Sequence, residues 1–353
     1  MSAGTGPLRV AVAGCGAIGR RHVELIGANE DARLCGLADP AAGTAALAER
    51  LGVRAFGTLD ALLDAERPDA VVIATPNRLH VDNALACIAR RIPALVEKPL
   101  ADDVDAGLRI VRAAESAGVP ILVGHHRRHS PILAEARAVI EAGTLGRVVA
   151  VAGTALYRKP DDYFDDAPWR RAPGGGPILI NLIHEIDDLR LLCGDIVAVQ
   201  AMTSRATRGF PVEDTAAVTL AFASGALGTF LLSDAAASTR SWEQTSGENA
   251  AYARAANEDC YHVAGTRGSL SIPTMRMTTY AGEPSWLAPF ESGIVGVRHA
   301  DPLARQLAHF IAVARGAATP LVDARSALET LRVTLAVDCA ARTGTLVATE
   351  PCP

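Results

Sequence analysis

Three glycines near the start of the chain have the spacing of a turn that binds phosphate. Gly14, Gly16 and Gly19 follow the apolar run 9–13 and precede a segment with a helical pattern. The first glycine permits a tight turn, the second lets the backbone approach a pyrophosphate, and the third lets the helix pack closely on the strand. Because strand, turn and helix come in this order, the G-x-G-x-x-G pattern predicts a dinucleotide-binding loop. The loop residues predicted to contact the dinucleotide are Gly14, Cys15, Gly16, Ala17, Ile18 and Gly19.

An acidic residue follows the second apolar run at a distance that suits the same fold. Asp39 ends the run 33–38 and lies 20 residues beyond Gly19. A carboxylate there can accept hydrogen bonds from the adenosine ribose of NAD, and it would repel the 2′-phosphate of NADP. Residues 40–43 contain no arginine that could bind such a phosphate. The sequence therefore favours NAD over NADP.

Polar residues follow a third apolar run, 70–74, which is typical of a buried strand. Thr75, Asn77 and His80 come after it in close succession. Since ligands of open α/β sheets bind beyond the carboxyl ends of the strands, we expect these three side chains to contact the cofactor. The alternative for His80 is local packing at the start of a helix.

A lysine follows the next apolar run, 94–96. Lys98 stands between Glu97 and Pro99, and proline cannot extend a hydrogen-bonded strand. A lysine at the carboxyl end of a strand is a candidate for proton chemistry, whereas the alternative is a surface ion pair with its neighbour. We expect Glu97 and Lys98 to line the cofactor site and Lys98 to take part in catalysis.

Two later stretches are candidates for substrate binding. The first, 125–129, is a cationic cluster directly after an apolar run, and the second, 161–171, is a polar and aromatic loop of the kind that often shapes a pocket. Two adjacent arginines would also suit a substrate carboxylate. The residues selected from both stretches are His126, Arg127, Tyr163, Trp169 and Arg170.

A predicted helix after the glycines 174–176 carries a further group of polar side chains. Asn181, His184 and Asp188 lie three and four residues apart, so they share one face of the helix. We expect Asn181 and His184 to face the substrate. The alternative for His184 is a helix histidine bonded to a carboxylate within its own domain.

The elements that must position these residues fall into two regions. In 1–124 apolar runs alternate with helical patterns, which predicts an α/β domain with a doubly wound parallel sheet of the Rossmann type. In 125–353 most strand-like segments follow one another without a helix between them, which predicts a mostly antiparallel sheet in an α+β domain. Helices return at 302–315 and 324–343, and the last helix is a candidate to pack back on the first domain. The strands predicted in the second region are 148–155, 196–203, 215–222, 226–233, 261–263 and 269–272.

Composition narrows the classes of partner. The chain has 353 residues, of which 49% are hydrophobic and 21% charged, and its net charge is −5. These values fit a soluble protein of two domains that binds a small molecule, and they predict neither a nucleic-acid partner nor a membrane partner. The seven cysteines include no C-x-x-C pair, so we expect no metal site and a reducing, cytoplasmic compartment. The first strand begins near residue 8, and we expect no signal peptide.

Taken together, the motifs resemble those of the glucose–fructose oxidoreductase, inositol dehydrogenase and MocA-like dehydrogenases. The resemblance rests on the opening AVAGCGAIGRRH, on Asp39, on Thr75-Pro76-Asn77 with His80, on Glu97-Lys98-Pro99, and on the helix from the triple glycine to His184. It implies a Rossmann domain that binds a nicotinamide nucleotide and a C-terminal domain with an open-faced sheet. It also implies a homodimer or a homotetramer.

The same resemblance implies roles for two residues. Lys98 would lie beside the nicotinamide and the substrate hydroxyl, and His184 would be the acid/base. One departure concerns the pattern G-G-G-x-x-x-D-x-x-x-H, in which this chain has Ile180 at the aspartate position and Asn181 next to it. An amide at Asn181 can form a hydrogen bond with a substrate, but it cannot raise the basicity of the histidine as a carboxylate would.

These residues and the resemblance lead to an expected function. We expect an NAD-dependent oxidoreductase that removes a hydride from a secondary alcohol of a sugar, polyol, cyclitol or related hydroxyl compound. One alternative is an enzyme that retains and recycles NAD for elimination, epimerisation or glycoside cleavage, and it would not accumulate free NADH. Another is a non-catalytic NAD-binding regulator, against which the presence of Lys98 and His184 argues.

Overall fold

The computed structural model describes residues 6–349. Within this range the chain divides into two compact units. The first comprises the chain up to His126 together with Leu303–Leu331, and the second comprises Arg127–Pro302 and the chain from Arg332 onward. The first unit therefore also takes in 303–331, which the sequence analysis assigns to the second region.

The first unit is built on a sheet whose strands are β1 (Leu8–Ala13), β2 (Ala32–Ala38), β3 (Arg54–Phe56), β4 (Ala70–Ile73), β5 (Ala94–Val96) and β6 (Ile121–Val123). Within the described residues their order is β3-β2-β1-β4-β5-β6, and each neighbouring pair is parallel. This order confirms the predicted Rossmann-type sheet. Every residue of β4, β5 and β6 is buried, which accounts for their apolar runs. Because the strands are parallel, the turns after β1, β4 and β5 lie at the same edge.

Helices connect these strands, and they are α1 (Ala17–Gly27), α2 (Gly43–Leu51), α3 (Leu59–Glu66), α4 (His80–Ala89) and α5 (Val104–Ala117). A short 3-10 turn, Asn77–Leu79, precedes α4, and another, His126–His129, comes after β6. A later helix, α10 (Pro302–Ala314), adds Leu307 and Phe310 to the core around β1 and α1.

The second unit contains a mixed sheet whose strands are β7 (Val148–Leu156), β8 (Ile196–Ser204), β9 (Thr215–Phe222), β10 (Leu227–Ser233), β11 (Tyr261–Gly265), β12 (Gly268–Ile272), β13 (Arg276–Tyr280), β14 (Phe290–Ile294) and β15 (Val347–Ala348). In the part of the chain that the structure describes, their order is β14-β13-β12-β11-β7-β10-β9-β8-β15. Strands β7 and β10 pair in parallel and the other neighbours pair antiparallel. The mostly antiparallel sheet is confirmed.

Helices of the second unit cover one face of this sheet. They are α6 (Pro131–Glu141), α7 (Asp162–Asp165), α8 (Ile183–Cys193), α9 (Trp242–Thr245) and the later part of α11 (Ala324–Thr343). Ile186 of α8 and Val337 of α11 share a core with Phe230 of β10. Residues of β10 alternate between this core and solvent, so Leu227 and Leu231 lie on the opposite, exposed face.

Several elements of this unit differ from the sequence prediction. The segment Ile178–Leu182, expected to begin an α-helix, forms a π-helical turn, and α8 begins at Ile183. Strands β13, β14 and β15 are not among the predicted strands. All five residues of β14 are exposed, β13 has no buried residue, and β15 is only two residues long, so none of them carries a clear pattern of buried and exposed positions.

Candidate active site

The glycine turn is held tightly between β1 and β4. Gly14 has φ +90°, and a Cβ added there would lie 2.3 Å from the carbonyl oxygen of Ala74. A Cβ on Gly19 would lie 1.9 Å from the carbonyl oxygen of Gly14. Both positions therefore require glycine for the turn itself, as the sequence predicts.

Gly16 requires a different explanation, because a Cβ there would meet no atom within 4 Å. Gly16 is the N-cap of α1, and no side chain of the described residues caps this helix. The backbone N–H groups and the positive end of the helix dipole thus face open space at the sheet edge. This arrangement fits a dinucleotide pyrophosphate, which would occupy the space beside Gly16.

Asp39 lies beside the same turn at the end of β2. One carboxylate oxygen accepts a hydrogen bond from the backbone N–H of Cys15 (2.6 Å), and the other accepts one from Ala41 (2.8 Å). The side chain is half-buried. Each oxygen has a second lone pair, so the carboxylate can still accept hydrogen bonds from ribose hydroxyls. The residues present therefore fit NAD.

His80 does not face a ligand, although the sequence places it among the cofactor contacts. Its ring is fully buried, with Nδ1 2.7 Å from the carbonyl oxygen of Pro99 and Nε2 2.8 Å from that of Thr75. A carbonyl oxygen only accepts, so in each contact the ring nitrogen is the donor when it carries a hydrogen. His80 therefore joins the turn after β4 to the turn after β5, while Thr75 and Asn77 stay half-exposed.

Glu97 also departs from its expected role as a cofactor contact. It is 8% exposed, and its Oε1 lies 2.7 Å from Nε2 of the buried His22 on α1. Burial acts to raise the pKa of Glu97, but the hydrogen bond with His22 and the positive charges of His22, His126 and Lys98 outweigh it and lower that pKa. Glu97 thus anchors the turn that carries the half-buried Lys98.

Arg127 lies in a buried network of the second unit, not in an open pocket. Its Nη1 donates to Oε1 of Glu185 (2.8 Å) and Oδ2 of Asp188 (3.0 Å), and its Nη2 donates to Oε1 of Glu243 (2.6 Å). The hydroxyl of Tyr261 also donates to Glu185 and Asp188. This guanidinium is 3% exposed and pairs with three carboxylates, so Arg127 is not available for the substrate contact that the sequence predicts.

Three carboxyl groups around one guanidinium leave an excess of negative charge. Burial raises the pKa of Asp188, the charge of Arg127 opposes this, and the charges of Glu185 and Asp187 add to the increase, so that the pKa is about 8. The excess of negative charge therefore favours the protonated form of Asp188. The neighbouring pair is simpler, since Arg128 binds both oxygens of buried Asp187 at 2.6 and 3.0 Å. Together these contacts fix α8, which carries His184.

His184 lies at the start of α8 and is 9% exposed. Asn181 lies three residues earlier, in the π-helical turn, and is half-buried. Such turns occur often at functional sites. The Oδ1 atom of Asn181 accepts a hydrogen bond of 2.7 Å from Nζ of Lys159.

Lys159, which contacts Asn181, is a further candidate for the site and is absent from the residues selected by sequence. It follows β7 by three residues and precedes a proline, which is the signal by which Lys98 was selected. The side chain is 9% exposed, and Nζ lies 3.4 Å from Oδ2 of Asp234. The ammonium also lies 4.9 Å from the ring centre of Tyr163.

Tyr163, Trp169 and Arg170, which the sequence predicts as substrate residues, come together near Lys159. The guanidinium of Arg170 stacks over the Tyr163 ring at 3.7 Å, and its Nη1 donates to the Tyr163 carbonyl at 2.6 Å. It also lies 5.7 Å from the ring of Trp169, which is 55% exposed. The adjacent Arg171 instead pairs with Asp165 at the surface. The structure thus distinguishes the two arginines that the sequence treats alike.

Among residues 6–349, no group of three or more His, Cys, Asp or Glu side chains is arranged to hold a metal ion. None of the helices described in this range is long and apolar enough to cross a membrane.

Known proteins resemble this chain along most of its length. Residues 8–125 match the model of an oxidoreductase family with an NAD-binding Rossmann fold, GFO_IDH_MocA, and residues 133–271 match the C-terminal domain of the same family. The solved structure of the WlbA dehydrogenase from Bordetella pertussis, in complex with NADH and UDP-GlcNAcA, is 25% identical with a TM-score of 0.77. That comparison covers 98% of this chain and 99% of the other.

Curated relatives match a shorter region. The rhizopine catabolism protein MocA of Rhizobium meliloti is 31% identical over 189 residues, which are 53% of this chain and 57% of the relative. Inositol 2-dehydrogenase 2 of Saccharopolyspora erythraea is 34% identical over 204 residues, which are 56% and 58%. The match thus spans somewhat more than half the length of either relative. With both family domains present in order, and with a glycine turn and carboxylate that fit NAD, this chain belongs to the GFO/IDH/MocA family of NAD-binding oxidoreductases.

Proposed function

We propose that this protein takes a hydride from a secondary alcohol of a sugar, polyol, cyclitol or related hydroxyl compound and passes it to NAD. The observation that carries the proposal is the place of Lys98 within the first unit. It lies two residues beyond β5, at the sheet edge where the glycine turn and Asp39 also lie. A donor of protons and hydrogen bonds at that edge suits chemistry beside a bound dinucleotide.

The proposed reaction converts an alcohol to a ketone. Bound NAD⁺ supplies the hydride acceptor. The hydroxyl O–H bond breaks and its proton passes to His184, while the C–H bond electrons leave with the hydrogen as hydride. Lys98 assists by donating a hydrogen bond to the oxygen as negative charge develops there.

The positioning contacts support these roles. The turn that carries Lys98 is held by two contacts, that of His80 with the carbonyl of Pro99 and that of Glu97 with His22. Arg127 and Arg128 hold α8, which carries His184. The names of two relatives, an inositol 2-dehydrogenase and a WlbA dehydrogenase, also agree with oxidation of a carbohydrate-like hydroxyl.

The proposal is tested by a panel assay that follows absorbance of reduced nicotinamide. Purified protein with NAD, and separately with NADP, is mixed with aldoses, polyols, cyclitols and sugar acids. We expect NADH from one of these classes and a weaker response with NADP. Binding of NAD without free NADH for any compound would instead favour the alternative in which the cofactor is retained and recycled.

Two alanine variants test the assigned roles. We expect Lys98→Ala and His184→Ala each to lower kcat about 100- to 10,000-fold, since each removes a group that moves or stabilises a proton. Binding of NAD, measured by calorimetry, should be retained. His299→Ala, at an exposed histidine of the second unit, is the matched control and should keep full turnover. Near-normal kcat in either variant would show that its assigned role is wrong.

A further inference from the structure

Lys159 is distinctive in composition as well as in place. Of the 34 lysine and arginine residues of the chain, two are lysines, Lys98 and Lys159. Each precedes a proline shortly after a strand. All the other Lys or Arg positions are arginine. At position 159 the chain has a lysine, whose ammonium is more compact than a guanidinium and loses its proton more readily. The Lys159 ammonium lies between the rings of Tyr163, at 4.9 Å, and Tyr157, at 5.9 Å.

The charges around Lys159 do not balance. Burial lowers the pKa of Lys159, Asp234 acts to raise it, and the positive charges of Arg170 and Arg208 lower it further. Asp234 is shared, because its other oxygen accepts a hydrogen bond of 2.9 Å from Nε of Arg208. Arg208 also forms an ion pair of 3.4 Å with the exposed Asp161, so the three cations Lys159, Arg170 and Arg208 face two carboxylates, of which only Asp234 is buried. A partly buried excess of positive charge is stabilised by an anion from outside the protein.

Arg170 contributes a donor to the same place. Its guanidinium has no ion pair with a carboxylate of the described residues, and its Nε is buried without a hydrogen-bond partner. An unpartnered buried donor costs free energy unless a ligand satisfies it. Arg208, in contrast, is already bonded to Asp234, to Asp161 and to the carbonyl of Lys159.

We propose that Lys159 and Arg170 form an anion subsite that binds a carboxylate of the substrate, with Asn181 holding the ammonium in place. The inference rests on the proposed function, because the subsite serves the substrate that His184 would deprotonate. The substrate class is then a polyhydroxy acid, such as an aldonate or a uronate, in preference to the neutral sugar. A carboxylate suits this place because it is planar and carries one charge, which matches a guanidinium and an ammonium beside an aromatic ring.

Lysine-specific NMR tests the inference without turnover. Full-length protein with bound NAD, labelled with ¹³C and ¹⁵N in lysine, gives two lysine side-chain signals, which Lys98→Met and Lys159→Met assign. Aldonates and uronates are then compared with the matched alditols and aldoses, and with sugar phosphates. We expect a polyhydroxy acid to shift the Lys159 signal while its neutral counterpart does not. No shift with any acid, an equal shift with neutral compounds, or a preference for phosphates would overturn the inference.

Variants give the second readout, by calorimetry and by kcat/KM. We expect Lys159→Met and Arg170→Met to weaken binding of the acid about 10- to 100-fold, with little change for the neutral counterpart. Arg171→Met is the matched control, because Arg171 pairs with Asp165, and it should change neither. Equal losses for acid and neutral compound would overturn the subsite. If the acid binds in a way that depends on Lys159 but no NADH forms, the subsite is supported and the proposed reaction is rejected. If neutral compounds are oxidised and Lys159 makes no difference, the proposed reaction is supported and the subsite is rejected.

Discussion

The glycines of the first turn serve different purposes, although the sequence motif treats them as one unit. Gly19 is required by its contact with the Gly14 carbonyl, whereas Gly16 adjoins open space. The first kind of glycine is needed for folding, and the second leaves room for a ligand. The distinction follows from where a Cβ would point, which depends on the packing of β1, α1 and β4.

We therefore expect Gly19→Ala and Gly16→Ala to fail in different ways. Gly19→Ala forces backbone atoms apart and should lower the free energy of unfolding by about 2–4 kcal/mol or more. Gly16→Ala should leave the melting temperature nearly unchanged and raise the Kd for NAD about tenfold or more, because its methyl group would occupy pyrophosphate space. Calorimetry measures both quantities. Gly27→Ala is the control, because a Cβ at this position of α1 would meet no atom within 4 Å, and it should neither lower the free energy of unfolding nor raise the Kd for NAD. Equal effects at Gly16 and Gly19 would contradict this explanation.

His80 and Glu97 stabilise the turns of the candidate site. Both belong to motifs that the sequence associates with a cofactor, and both are buried against the protein itself. His80 bonds the carbonyl oxygens of Thr75 and Pro99, and Glu97 bonds His22 and so anchors the turn that carries Lys98. A residue type and its position in a motif thus indicate a site, but they do not tell whether the side chain contacts the ligand.

At the scale of elements, α8 is positioned by charge as well as by its apolar core. Its acidic residues Glu185, Asp187 and Asp188 meet Arg127 and Arg128, both of which follow β6. The two adjacent aspartates are in different electrostatic situations. Asp187 has its own guanidinium, whereas Asp188 shares one with two other carboxyl groups.

This difference predicts opposite effects of two neighbouring amide substitutions. Because the folded-state pKa of Asp188 is about 8 and its unfolded value is about 4, the folded state binds the extra proton, and stability falls as pH rises through this window. Asp188→Asn removes that loss, so its stability relative to the wild type should rise toward pH 8, by at most about 1.4 kcal/mol per pH unit. Asp187→Asn breaks a buried ion pair and should cost about 3–5 kcal/mol at neutral pH.

Urea unfolding at pH 5 and pH 8 measures both effects. Tryptophan fluorescence reports on the second unit, because Trp169, Trp242 and Trp286 all lie within it. An Asp188→Asn variant whose stability relative to the wild type does not change between these pH values would show that Asp188 is ionised in the folded protein.

At the scale of the whole molecule, one face of the second sheet carries exposed apolar side chains and is covered by none of the helices described for residues 6–349. Leu227 is 64% exposed, Leu231 41% and Met202 77%. Leu231 and Met202 both pair with Ala217, so they lie on the same face of β10, β9 and β8. An apolar face of this kind is typical of an interface between subunits.

We expect a homodimer or homotetramer in which this face is covered by a second copy. Replacing both Leu231 and Met202 with Glu should dissociate it, because two carboxylates per subunit would be buried in the interface. Light scattering after size exclusion gives the mass, and circular dichroism shows whether the variant is folded. Leu51→Glu, at an exposed leucine of α2, is the control. A monomeric wild-type protein, or a folded double variant of unchanged mass, would disprove this assembly.

Much of this protein is determined by local sequence. The parallel sheet, the glycine turn, Asp39 at the end of β2 and six strands of the second sheet follow from short apolar runs, glycine spacing and the alternation of elements. These features depend on a residue and its near neighbours along the chain, and the periodicity of strands and helices makes them readable.

Only the tertiary structure decided which polar side chains face a ligand and which hold the protein together. Arg127 and Arg170 look equivalent in sequence, but three carboxylates surround the first and none of the described ones pairs with the second. Lys159 forms a hydrogen bond with Asn181, 22 residues away in the sequence, and Arg127 forms one with Glu243, 116 residues away. The physical reason is that burial and charge pairing depend on groups brought together by folding, so the role of an ionisable side chain is set by neighbours that its local sequence does not contain.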